Sequence, residues 1–256
     1  DVQGDKVNVS REIMIDGVQS FDNPEWSPDG EKILFTGLVG GQSDLYLYHL
    51  DSDRVEQLTN DRYSALQASW SSDGEKIAFI SERGDDTNLD KQVYGKYRLC
   101  MMDVESRDIR VLPVFPGSDV LSPNLGPDDE SIYFLSHADG YRNLYEYNIT
   151  TGQVYKLTDF LTGISGITDL APAYSISKKT GEIAYTLYMD DRYQIYMASP
   201  EEFNREPVSL TLAEKGPAQL PPGRDRVLSL VGEGLNRYPS TADTAFTKKP
   251  YKPKFQ

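Results

Sequence analysis

The sequence predicts an all-β protein built from repeated four-stranded sheets, and three observations predict it. A template of turn and strand signals recurs four times. Aromatics make up 11% of the chain and 17 of them are Tyr, which suits pleated strands with one wet edge better than a greasy helical interior. The spacing between units varies while their cores stay constant, with Ile33, Ile77, Ile132 and Ile183 falling 44, 55 and 51 residues apart. A period of this size marks a repeat architecture, and four strands per unit are what a β-propeller blade requires.

The first unit reads Pro24-Glu-Trp26-Ser-Pro-Asp-Gly30, Ile33-Leu-Phe35, Asp44-Leu-Tyr46 and Leu58-Thr59. The second reads Trp70-Ser-Ser-Asp-Gly74, Ile77-Ala-Phe79, Tyr97-Arg-Leu99 and Leu112-Pro113. The third reads Leu125-Gly-Pro-Asp-Asp129, Ile132-Tyr-Phe134, Asn143-Leu-Tyr145 and Leu157-Thr158. The fourth is degenerate: Tyr174-Ser-Ile-Ser, Thr180-Gly181, Ile183-Ala-Tyr185 and Gln194-Ile-Tyr196. Within a unit, strand A ends near the Trp. Ser-Pro-Asp-Gly then turns the chain, because Pro presets φ and Gly supplies a positive-φ position. Strand B is apolar on both faces, as expected of a sheet covered on both sides. Strand C carries the Asp-Leu-Tyr signal, and strand D ends at Leu-Thr. Val208-Ser-Leu-Thr-Leu212 is the candidate D strand of the fourth unit.

These residues resemble the TolB-type, WD40-like (PD40) propeller repeat of bacterial envelope proteins, over roughly residues 20–200. The stretch from Trp26-Ser-Pro-Asp-Gly30 to Leu58-Thr59 is a close copy of it. The resemblance implies a propeller commonly of six blades, without catalytic residues of its own, that binds other proteins in the periplasm or at the outer membrane. Two departures stand out: Asp129 replaces the expected Gly, and the fourth unit has neither Trp nor Pro-Asp. Three regions follow. Residues 1–20 hold a strand, read over 7–15, that completes or ends a blade; residues 21–213 are the blades; residues 214–256 are a basic, Pro-rich linker. Eight of the 15 prolines lie beyond residue 199, and Lys248-Lys249-Pro250-Tyr251-Lys252-Pro253-Lys254 carries four cations and no acid. That end resembles the junction between a propeller and an outer-membrane barrel in the same polypeptide. With Asp1 at the start and only four units visible, the expectation is a piece of a larger protein.

Forty acidic residues against 26 basic ones give a net charge of −14, which argues against nucleic acid as a partner. No apolar run is long enough to cross a bilayer. Cys100 stands alone, so no intrachain disulfide is possible. Chemistry is sparse. Gly163-Ile-Ser165-Gly166 lacks the spacing of a nucleophile elbow. His49 and His137 are too few for a three-ligand zinc site and read as structural. Gly40-Gly41 is a hairpin turn rather than a phosphate loop. Glu82-Arg-Gly-Asp-Asp86 with Asp90, and Asp190-Asp191, offer hard oxygen ligands for Ca²⁺ but not at EF-hand spacing, so solvated loops are the favoured reading. No cofactor is expected, although Ca²⁺ or a sugar in the central channel stays open.

Loop growth is the stronger signal. The second unit lengthens its B–C loop, 82–96, and B–C and D–A loops emerge on one face of a propeller. That face carries the candidate partner-binding residues Arg62, Tyr63, Asp85, Asp86, Tyr141, Arg142, Arg192 and Tyr193. Tyr and Arg are favoured at interface hot spots, and equally populate ordinary strand ends. Phe115 and Phe160, in D–A loops, are either apolar anchors or plugs between blades. The expected function is a non-enzymatic protein-binding or scaffolding module. The alternative is the accessory propeller of a peptidase whose catalytic domain lies outside this chain.

Overall fold

Ser-Pro-Asp-Gly turns, apolar B strands and aromatic C strands do assemble into four-stranded antiparallel sheets. In the computed structural model, residues 11–168, 170–189 and 191–211 are described, together with the backbone of a short hairpin, β1 (Val2–Gln3) and β2 (Lys6–Val7). The linker expected over 214–256 lies outside the described residues. Blade 1 is β3 (Ser20–Trp26), β4 (Lys32–Val39), β5 (Gln42–His49) and β6 (Val55–Gln57). Blade 2 is β7 (Leu66–Trp70), β8 (Lys76–Ser81), β9 (Arg98–Asp103) and β10 (Ile109–Val111). Blade 3 is β11 (Val120–Leu125), β12 (Ser131–Ser136), β13 (Asn143–Asn148) and β14 (Val154–Lys156). Blade 4 has three strands, β15 (Tyr174–Ile176), β16 (Ile183–Met189) and β17 (Arg192–Ala198). The four sheets are the blades of a β-propeller, and successive blades touch through their first strands, β3 on β7, β7 on β11 and β11 on β15.

Two expectations need correction. The strand read over 7–15 is absent from residues 11–15, which run without regular structure. Ile13, Ile15 and Val18 instead pack on Phe35, Tyr46 and Tyr48, so apolar side chains cover blade 1 without strand pairing. The candidate fourth D strand also goes elsewhere. β18 (Glu206–Val208) pairs antiparallel with β14 and makes blade 3 five-stranded.

The repeat residues have specific tasks. Ser27 Oγ donates to Asp29 and accepts from the Lys32 N–H, while Asp29 accepts from the Glu31 N–H; Ser71, Asp73, Lys76 and Glu75 repeat this network. Gly30 and Gly74 sit at φ 74° and 75°, and Asp129 takes the same conformation at φ 55°. A non-Gly residue is strained there, and its carboxylate is anchored by the Ser72 and Asp73 N–H groups of the neighbouring blade. The Asp-Leu-Tyr and Leu-Thr signals are two halves of one clasp. Thr59 Oγ1 donates to Asp44 at 2.7 Å and accepts from the Leu45 N–H. Thr158 does the same with Asn143 and Leu144.

Cores lie between blades. Leu34, Leu45, Trp70, Ile77 and Phe79 fill the space between blades 1 and 2. Ile80, Leu99, Phe115, Leu125, Phe134 and Tyr145 begin a second cluster that runs into blade 4. Each such side chain contributes roughly 1.5–3 kcal/mol on burial. Phe115 is fully buried against Phe134 and Tyr145, and Phe160 stacks on Tyr185 at 5.8 Å, so both are plugs.

Candidate functional site

The first strand of blades 1 to 3 is broken by the same bulge. The register shifts between Asp22 and Glu25, Leu66 and Ser69, and Leu121 and Asn124. Asn23, Gln67 and Ser122 occupy the extra position at φ 50°, 52° and 49°. Pro24 and Pro123 are tolerated inside strands for this reason, since a bulge releases the N–H that a ladder would need. The bulges line an axial funnel of about 340 Å³ with Asn23, Glu25, Gln67, Ser122, Asn124 and Tyr174. Gln67 bridges blades: its Oε1 accepts from the Ser122 N–H at 2.7 Å and its Nε2 donates to the Leu170 carbonyl at 2.8 Å.

Deeper in the same region Lys178 of blade 4 donates to the carbonyls of Trp70 and Leu125, the last residues of β7 and β11. Glu25 of blade 1 accepts from the Trp70 N–H at 3.1 Å. Burial pushes the Glu25 carboxyl up to about 7, with the nearby Lys178 charge only partly offsetting it. Burial likewise lowers Lys178, against the pull of Glu25 and Asp129. This cross-blade tie was not foreseen. The available signal was a Lys at the position where earlier units have Pro28, Ser72 and Pro127.

The larger concavity is a cleft of about 770 Å³ between blades 1 and 2. Its walls are the B–C turn of blade 1 (Gln42, Ser43), the D–A connection (Asp61, Arg62, Ser64) and the long loop 82–97 (Glu82, Gln92, Tyr94, Tyr97). That loop is folded, not slack. It contains a 3-10 turn, Leu89–Lys91, capped by Asn88 Oδ1 accepting from the Lys91 N–H. Asp86 braces its base by accepting from Arg98 at 2.7 Å and from the Lys96 N–H at 2.9 Å. Gly84 and Gly95 close around that carboxylate; a Cβ on Gly95 would lie 2.4 Å from Asp86 Cγ. Glu82, 5% exposed, accepts from the Ser64 N–H and hydroxyl.

The candidate partner-binding residues thus fare differently. Arg62 is exposed on the cleft wall and pairs with Asp90 across it at 2.8 Å. Tyr63 lies beneath the Arg83 guanidinium, 5.5 Å from its ring centre. Asp85 and Asp86 are both exposed, but Asp86 is engaged by Arg98 and the Lys96 N–H. Tyr141 and Arg142 are half-buried on blade 3, with Arg142 Nε donating to His137 and its carbonyl accepting from Ile164. Arg192 and Tyr193 open β17, and Tyr193 donates to the Gly166 carbonyl at 3.1 Å. The eight therefore sit on three separate parts of the propeller, with Arg62, Tyr63 and the Asp85–Asp86 loop grouped at the cleft. Sequence reading missed Tyr94, 68% exposed on the rim and lining the cleft.

Of the carboxylates considered for Ca²⁺, Glu82 is bonded to Ser64, Asp86 to Arg98 and Asp90 to Arg62, while Asp85 and Asp191 are exposed and Asp190 lies outside the described residues. Among the described residues no three His, Cys, Asp or Glu side chains converge on a metal position. His49 pairs with Glu56 and Arg54 at the far end of β5. Cys100 is buried and its thiol is pushed up to about 12 by burial, so it carries no reactive thiolate.

The fold and its repeats are those of a TolB-like β-propeller. TolB from Acinetobacter baumannii superposes with a TM-score of 0.60 at 19% identity, over 75% of this chain and 44% of that one. A puromycin hydrolase gives a TM-score of 0.55 at 16% identity, covering 74% of this chain and 30% of the hydrolase. At the sequence level, dipeptidyl-peptidase 5 of Porphyromonas gingivalis is 30% identical over 156 residues, which is 56% of this chain. The chain spans about a fifth of that relative's length (21%). No protein-family profile matches. Among the described residues no helix is long and apolar enough to cross a membrane.

Proposed function

We propose that this propeller is a non-catalytic module of the bacterial envelope that holds another protein against its D–A/B–C loop face, centred on the cleft between blades 1 and 2. One observation carries the reading: the 82–97 loop is braced by Asp86 and Glu82, and its Tyr94 and Asp90, with Arg62 of the facing D–A connection, are presented outward around a concavity. Internal bracing with an aromatic and charged rim is the anatomy of a preorganised binding surface, where little backbone change is needed on docking. The TolB likeness supports a protein partner and an extracytoplasmic location. Charge reversal of Arg62 combined with Tyr94→Ala should abolish capture of the partner from an envelope extract and leave the melting temperature unchanged. Undiminished capture by that variant, with the propeller intact, refutes the face. Cell fractionation with an antibody to the chain tests the location.

A second reading, the accessory propeller of a peptidase, is favoured by the 30% identity to dipeptidyl-peptidase 5. In that case the same loop face would meet a catalytic domain in cis. Assay of the product of the complete gene for release of N-terminal dipeptides separates the two: turnover supports the peptidase reading, and its absence in an intact, folded product supports the binding module.

A further inference from the structure

Blade 4 stops at three strands, and among the described residues the outer edge of β17 is unpaired. Blades 1 and 3 end in outer strands of one pattern, Val55-Glu-Gln-Leu58-Thr59 and Val154-Tyr-Lys-Leu157-Thr158. The segment after β17 repeats it as Pro207-Val-Ser-Leu210-Thr211. β17 is also prepared to receive such a strand. Tyr196 faces Tyr185 as Tyr46 faces Phe35 and Tyr145 faces Phe134, which places Gln194 where Asp44 and Asn143 stand. Those two residues accept the hydroxyls of Thr59 and Thr158, and Gln194 Oε1, which accepts from the Tyr196 hydroxyl at 2.9 Å, keeps a second lone pair for such a bond. In blade 1, residues 49–54 separate the facing pair Tyr48 and Val55; residues 199–206 separate Ala198 from Pro207, enough to turn back as a hairpin.

Yet the segment is seated on blade 3. Val208 faces Val154, Arg205 donates to Glu146 at 2.6 Å, and the Leu210 carbonyl accepts from the Phe115 N–H. Thr211 is exposed there and bonds Ser209 in place of a clasp of the Thr59 kind.

We propose that 206–211 is an exchange strand with two seats, the β14 edge of blade 3 and the β17 edge of blade 4. In the second seat it pairs antiparallel with β17, the Leu210 N–H donates to the Ile195 carbonyl, and the Thr211 hydroxyl donates to Gln194. The equivalent bonds in the other blades are Leu58 to Leu45, Leu112 to Leu99 and Leu157 to Leu144. Exchange trades one open edge for another, so the two arrangements carry the same number of unpaired strands and differ by local contacts alone, the condition for a bistable element. It also frees the buried Glu146 carboxylate from Arg205 at the blade 3 edge.

Cysteine pairs sharing one thiol test this. Val154→Cys with Val208→Cys reports the blade 3 seat, and Met197→Cys with Val208→Cys reports the blade 4 seat, since Met197 is the counterpart of Leu47, which faces Glu56. Oxidised glutathione should close both pairs within single chains, read by mass spectrometry of tryptic peptides, with the 154–208 bond confirming that the variant is folded. In the 197–208 locked protein Thr211→Val should lower the melting temperature, and in the 154–208 locked protein it should not. Closure of the 154–208 pair alone overturns the proposal. A 197–208 bond formed only between two chains overturns it in favour of a strand-swapped dimer.

Discussion

Glu25 and Thr59 show how single side chains set the stability of this propeller. Burial raises the Glu25 carboxyl from its ordinary 4.5 to about 7, so the folded protein binds a proton that the unfolded chain has lost between those values. Stability from this group is complete below about 4.5 and is lost as pH rises through 7. Thermal melts should therefore show the parent losing stability between pH 5 and 8, and Glu25→Gln should flatten that slope. An unchanged slope would show that Glu25 is solvated. Thr59→Val keeps the shape but removes the partner of Asp44 Oδ1 and of the Leu45 N–H in a buried clasp, leaving Asp44 only its Gln57 bond. The cost should be about 1–3 kcal/mol in urea unfolding, with Thr158→Val behaving alike at Asn143.

At the scale of the element, the A–B turns are coupled between blades. Asp129 holds a left-handed conformation and spends its carboxylate on the Ser72 and Asp73 N–H groups. Asp129→Ala loses those bonds and keeps the backbone strain; Asp129→Gly loses the bonds and relieves it. Asp129→Ala should thus be the less stable of the two by about 1 kcal/mol, measured by denaturant midpoints at constant slope. The loop 82–97 illustrates a limit of pattern reading. Its length flagged it as elaborated, but the adjacent carboxylates Asp85 and Asp86 look alike in the sequence. Arg98, a strand residue twelve positions from Asp86, decides which of the two braces the loop.

For the whole molecule, Lys178 is the contact that reaches from blade 4 to blades 2 and 3, beside a carboxylate from blade 1. Lys178→Met leaves the Trp70 and Leu125 carbonyls without their ammonium donor and Glu25 without its counter-charge. We expect a loss of about 1–3 kcal/mol and a broader thermal transition, because blades otherwise meet chiefly through apolar side chains. A sharp transition at the parent temperature would show that the apolar cores alone hold the blades in register.

The four-stranded unit, its turns and its apolar B strands were legible in the chain because they are local. Ser27, Asp29 and Gly30 satisfy one another within six residues, and alternation along a strand reports its own burial. Even the Leu-Thr signal was visible as a pattern, although its meaning required Asp44 to be brought fifteen residues closer. Outcomes decided between blades were not legible. The Gln67–Ser122 bridge, the Glu25–Lys178 tie, and the seating of 206–211 on blade 3 rather than blade 4 depend on neighbours in other blades, far away in the chain. Sequence fixes what each strand can pair with, since hydrogen-bonding and apolar faces are written residue by residue. Tertiary structure alone settles which of two equivalent edges is filled, because that choice rests on small differences between contacts the local pattern makes alike.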